Sequence, residues 1–192
     1  MNTMLPDLDA IVSHLSDLDR PVVDLLQPGL ATEEVAATLK SLSVTPPNEL
    51  FGLYGWCNGT KVLKGDNLDD LHFFPGFYFL SLEDALKTYL AFESESRWNK
   101  KWFPLFANGG GDFYAISCSI AKCDHGEITG FLLGEAEQVV EFESLVAMIA
   151  TVRKCYDTGV YWVSEAGYLE ADDRRQAQIA KQLNPHLAIY NE

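Results

Sequence analysis

Two apolar runs, Trp102 to Ala107 and Phe113 to Ile120, flank the segment Asn108-Gly109-Gly110-Gly111-Asp112. Asparagine and glycine accept the positive φ that tight turns between antiparallel strands demand, so the pattern predicts a β-hairpin. A lone hairpin is barely stable in water and needs further strands or a helix against its apolar face. The rest of the chain is therefore read for what can cover it.

Before the hairpin, apolar residues at 5, 8, 11, 12, 15 and 18 repeat with a helical period, and Pro21 to Gly29 reads as irregular. Thr32 precedes Glu33 and Glu34 as an N-cap, with Val35, Leu39 and Leu42 as the buried stripe of a helix over about 33–42. Pro46-Pro47 restart the chain into a helix with Leu50, Leu53, Tyr54 and Cys57 on one face, which Asn58-Gly59 closes. Residues 61–72 are polar and read as an exposed loop. Phe73 to Phe79, broken by Pro75 and Gly76, suits an edge or bulged strand. Ser81 and Asp84 resemble a capping box for the helix that follows.

After the hairpin, 128–133 and 138–142 supply short strands, and Leu145, Met148, Ile149, Val152 and Tyr156 mark a strong helix. A strand at 160–163 and a charged helix over about 169–183 complete the chain. Helices first, then strands with helices between and after them, indicate an α+β fold with a mainly antiparallel sheet. The expected organisation is one domain: an N-terminal helix and connection at 1–30, a central unit at 31–156, and an extension at 157–192 packed on the same domain.

Charge narrows the function. Asp and Glu number 28 against 14 Lys and Arg, a net charge of −14. Nucleic acid and anionic membranes are excluded as expected partners, because both need clustered cations and the only dense basic spots are Lys100-Lys101 and Arg174-Arg175. A basic protein is favoured, since such a field accelerates its association. No signal-peptide pattern opens the chain and no apolar run approaches ~18 residues, so a cytoplasmic location is expected.

Cys57, Cys118, Cys123 and Cys155 contain no C-x-x-C pair. They read as small buried hydrophobes, with neither a disulfide framework nor a metal site expected. The glycine triplet lacks the Lys-Ser/Thr of a phosphate loop, and no hydrolase, zinc-protease or dinucleotide motif occurs. Carboxylate pairs lie on polar faces, where solvation is their usual role. The expectation is a protein that is not an enzyme and binds no cofactor. Candidate contacts are Asp66, Asp69 and Asp70 in the 61–72 loop, and Asp112, either exposed at the turn or bonded to its amides. Trp98 is a fifth, read with Trp102, Phe103 and Phe106 as core or as a partner-facing anchor.

Several of these segments together resemble the SUKH superfamily, the Smi/Knr-type proteins. Pro47-Asn48-Glu49-Leu50 through Tyr54 to Asn58-Gly59 is similar to the family's proline-led helix. Trp102-Phe103-Pro104 followed by Gly110-Gly111-Asp112 is similar to its Trp-x-Pro strand and Gly-Gly-Asp turn; Ser117 departs from the acidic residue that many members carry. The resemblance spans about 32–152. It implies a mixed or antiparallel sheet flanked by helices and, in bacteria, an immunity protein that neutralises a cognate toxin, often a nuclease. The fungal relatives imply an alternative, an intracellular regulatory or scaffold module.

Overall fold

The computed structural model of the protein describes residues 4–40, 42, 44–119 and 124–190. The elements run α1 (Leu5–Asp17), α2 (Val22–Leu25), β1 (Leu26–Pro28), α3 (Thr32–Leu39), α4 (Asn48–Trp56), β2 (Cys57–Thr60), α5 (Leu68–Leu71), β3 (Tyr78–Phe79) and α6 (Leu82–Ala91). They continue with β4 (Trp102–Ala107), β5 (Phe113–Ser117), β6 (Ile128–Phe131), β7 (Val139–Phe142), α7 (Leu145–Asp157), β8 (Tyr161–Val163), β9 (Leu169–Ala171), α8 (Asp173–Leu183) and a 3-10 turn at Ala188–Tyr190. Ile120 and Cys123, part of the strand and buried-thiol expectations, lie outside the described residues.

The expected hairpin is the centre of the fold. Strands β3-β4-β5-β6-β7 form one antiparallel sheet in that order, with Trp102 opposite Ser117 and Phe113 opposite Phe131. Pro104 stands at a register shift in β4, where a strand tolerates a residue without an N–H. The fold is α+β, as expected, and every strand pair is antiparallel among the described residues.

Both faces of the sheet are covered because both carry large apolar side chains. On one, Phe113 and Phe131 meet Phe92 and Trp98 from the segment after α6. On the other, Phe106 packs with Phe73, Phe74 and Phe79, of which Phe79 meets Tyr54 of α4 and Phe73 O accepts from Tyr156 Oη of α7. Each fully buried ring contributes about 1.5–3 kcal/mol. The chain ends are part of this core: Leu8, Ile11 and Leu15 of α1 are fully buried, and both α1 and α8 pack on α7.

The apolar pattern misplaced several boundaries. Helix α4 stops at Trp56, and Asn58-Gly59 belongs to β2 instead of closing the helix. The Asn58 side chain accepts from Leu82 N at 2.9 Å, serving the start of α6. Gly59 has φ 72°, and a Cβ there would lie 2.4 Å from the Leu80 backbone, so only glycine fits. Ala31, not Thr32, caps α3, with the Glu34 carboxylate accepting from Ala31 N at 3.0 Å. The irregular stretch before it contains α2 and β1, and the helix expected from about 169 begins only at Asp173, because Leu169–Ala171 pairs with β8.

One carboxylate fixes the helices to each other. Glu49, in the first turn of α4, accepts from Leu145 N and Val146 N at the start of α7 and from Gly126 N, each at 3.3 Å. Ser144 Oγ accepts from Ala147 N at 3.1 Å, so the opening amides of α7 are all partnered. Burial holds the Glu49 carboxyl above its ordinary value of 4.5, against the three amides that pull it down. Glu49→Ala, which strands those amides, is expected to cost about 2–3 kcal/mol in urea unfolding. Glu49→Gln tests the titration. A raised folded-state value gives stability that is fully present below the ordinary carboxylate value and is lost as pH rises through the raised one. Wild type should therefore gain on Glu49→Gln as pH falls from neutral toward 4.5; a constant difference between their unfolding midpoints would contradict this.

Candidate protein-binding surface

Two turns and the short helix α5 meet at one end of the sheet. The β4–β5 turn has Gly109 at φ 76° and Gly111 at φ 106°, conformations that glycine adopts without strain. Leu68 of α5 lies directly over Gly109, where a Cβ would sit 3.0 Å from both Leu68 Cδ atoms. Leu133, in the β6–β7 turn, covers Gly111 in the same way at 2.9 Å. Leu68, Leu132 and Leu133 are 43%, 42% and 40% exposed, apolar surface at the end of the sheet. Single exposed leucines are ordinary; two packed on one glycine turn, with Leu132 exposed next to them in the chain, mark a surface suited to association.

Asp112 supports this surface from below. Its carboxylate accepts from Asn108 Nδ2 at 2.6 Å and from Leu133 N at 2.9 Å, joining the two turns. Of the two possibilities the sequence left open, neither is the whole answer: Asp112 is half-buried and bonds to the neighbouring turn. Arg97 clamps the same turn from the other side, donating to Leu133 O and Glu135 O while paired with Glu95 at 2.9 Å. Those contacts from Arg97 lower the Glu95 carboxyl to about 2.

The expected acidic loop splits into different roles. Asp66 is exposed and closes its own turn by accepting from Leu63 N at 2.6 Å. Asp70 is half-buried on α5, and Glu135 and Glu137 are exposed on the β6–β7 turn; Lys61, Lys64 and the Glu95-paired Arg97 are the cations of this region.

Asp69 must be withdrawn as a contact because it is buried. It pairs with Arg20, whose Nη2 donates to its carboxylate and, at 2.6 Å, to its carbonyl. Its other oxygen accepts from Leu169 N at 3.1 Å. Nearby His72 has Nδ1 3.4 Å from the same carboxylate, and burial keeps its imidazole below the usual value despite that charge. Trp98 must be withdrawn too. It is 6% exposed and enclosed by Phe92, Trp102, Phe113 and Phe131 at ring distances of 5.1–6.1 Å. The signal missed in the sequence was Leu68, an apolar residue between Asp66-Asn67 and Asp69-Asp70.

Catalytic chemistry finds little to work with. One groove that holds two acids, of about 230 Å³, lies between β7 and α8 and is lined in part by Glu141 and Asp173. Burial raises the Glu141 carboxyl, but that group already accepts from Tyr114 Oη at 3.0 Å. Among the described residues no group of three or more His, Cys, Asp or Glu is disposed to hold a metal ion. Cys57, Cys118 and Cys155 are buried, and burial pushes the Cys57 and Cys155 thiols up to about 11. Among the described residues no helix is long and apolar enough to cross a membrane.

An antiparallel sheet around a Gly-Gly-Asp turn, led in by a proline-started helix, is an α+β scaffold whose exposed end presents loops. The model of the SMI1/KNR4 family (SUKH-1) matches residues 29–151, well over half of the chain, and the protein belongs to that family. Membership supports, at the level of the family, a non-catalytic immunity or regulatory module. No curated protein matches the chain.

If Asp69 and Trp98 hold the fold, their loss shows in stability. Asp69→Ala leaves Arg20 buried without its charge partner and is expected to cost about 3–5 kcal/mol. Trp98→Ala is expected to cost about 3–5 kcal/mol through the cavity it opens. Either variant unfolding at the wild-type urea midpoint would return that residue to the list of surface contacts.

Proposed function

We propose that the protein is a non-enzymatic immunity protein that binds and neutralises a cognate toxin with a basic surface, such as a nuclease domain. The observation that carries this reading is the exposed group Leu68, Leu132 and Leu133, with Asp66 and Asp70 on either side of Leu68 in the chain and Glu135 and Glu137 in the turn that follows Leu133. Exposed apolar side chains accompanied by carboxylates are the composition of a protein-binding patch selective for a cationic partner. A nuclease must gather phosphates with lysines and arginines, so an acidic inhibitor competes for the surface that it needs for catalysis. The net charge of −14 supplies the long-range attraction. The common unit is residues 31–156, with 1–30 and 157–192 as additions to it, and the working location is the cytoplasm.

Immobilised protein exposed to lysate of its source, followed by titration of the captured partner at low and moderate salt, tests the reading. One stoichiometric basic partner whose toxicity is suppressed is the expected outcome. Several weak partners would favour a regulatory or scaffold module. Charge reversal at Asp66 and Asp70 to Lys is expected to slow association by about tenfold at low salt, with a smaller effect at high salt. An unchanged rate would remove this loop from the interface.

A further inference from the structure

The hairpin β8–β9 lies beyond the residues that the family model matches. Tyr161 and Leu169 face the core and are buried. The opposite face carries Trp162, 39% exposed, and Tyr168, 53% exposed. Trp162 stands opposite Glu170, and Ser164 N donates to Tyr168 O at 2.9 Å. The register thus puts the two residues at diagonal positions on one face. Glu170 lies beside Trp162, and Glu165 begins the turn.

Along the chain the charge next to these rings is of one sign, and Arg20, the cation that reaches the hairpin, is paired with Asp69. From residue 155 to residue 173 the sequence has five carboxylates and no lysine or arginine. Two of the five are engaged, Asp157 with His14 and Arg153 and Asp172 as the cap of α8, while Asp173 sits exposed in the first turn of that helix. Glu165 and Glu170 are exposed and form no ion pair among the described residues. The hairpin backbone is also held firmly. Arg20 Nη1 donates to Gly167 O at 2.8 Å, Leu169 N donates to Asp69, and Asp172 N donates to Val160 O at 3.0 Å.

We propose that the outer face of this hairpin is a docking surface for a lysine- or arginine-bearing segment of a protein partner. Cationic side chains stack over Trp162 and Tyr168, whose ring faces attract them, while Glu165 and Glu170 neutralise their charge. Because the hairpin backbone is already held, ordering on this side is confined to the four side chains of the face. A second copy of this chain fits poorly, since pairing two such faces brings four carboxylates together. The proposal deepens the toxin-binding reading by adding a second contact, and it reaches the first through Asp69, which bonds the hairpin to α5.

The test is titration of ¹⁵N-labelled protein with a short alternating arginine–glycine peptide, with a glutamate–glycine peptide as control. Shifts centred on the Trp162 indole and the amides of Tyr168 and Glu170 are expected, with none from the control. Trp162→Ala with Tyr168→Ala should weaken the peptide by about tenfold. Glu165→Gln with Glu170→Gln, which leaves both rings, should weaken it and flatten its salt dependence. Shifts spread evenly over the acidic surface, or undiminished affinity in the ring variant, would overturn the proposal. A change in the sedimentation of the peptide-free ring variant would overturn it as well, by making the face a contact between copies. The two readings fail separately. If the captured toxin binds the ring variant as wild type but loses affinity for the Asp66 and Asp70 reversals, the hairpin proposal falls and the immunity reading stands.

Discussion

Arg20 and Asp69 are two opposite charges removed from water, and the placement of three distant chain segments follows from their pairing. Arg20 comes from the connection after α1, Asp69 from α5, and their remaining bonds go to Gly167 and Leu169 at the end of the chain. Neither charge can be left alone at that depth without a penalty of several kcal/mol. The segments must therefore arrive together or not at all. With Asp69 turned inward, Leu68 on the same short helix is carried onto Gly109, and the hairpin β8–β9 is pinned beside it. The pair adds little net stability over an apolar substitute of the same shape. What it excludes is any docking of the two chain ends that leaves either charge unpaired.

The sheet and most helices could be read from local chemistry because their signals are local. The Asn108 to Asp112 turn needs positive φ whatever surrounds it, and α7 shows its buried stripe in its own thirteen residues. The site was less legible for the opposite reason. Asp66, Asp69 and Asp70 look alike in a polar run, and what separates them is Arg20, 49 residues earlier. Trp98 is settled by Phe113 and Phe131 on strands not yet formed when its own segment is considered. Asn58-Gly59 misled because Asn-Gly ends helices and bends strands equally well; the close approach of the Leu80 backbone, invisible locally, decides it. Glu49 shows the same limit, since its amide partners lie 77 to 97 residues away.

The exposed end of the sheet combines rigid and adaptable parts. Its two turns share the Asp112 carboxylate, and Arg97 fixes the outer one through backbone carbonyls. The leucines above them have no such restraint and present flexible apolar surface on a firm base. That combination suits recognition in which the framework is constant and the side chains adjust.

The clamp on the C-terminal hairpin has a consequence for how sequences of this kind can diverge. Asp69 grips the amide of residue 169, and Arg20 grips the carbonyl of residue 167. Both are main-chain groups that every residue type offers, apart from the amide that proline lacks. Gly167 is constrained by its φ of 86°, but positions 162, 165, 168 and 170 can change identity without altering where the hairpin sits. A lineage can therefore exchange the chemistry of this face one substitution at a time while its geometry is inherited intact.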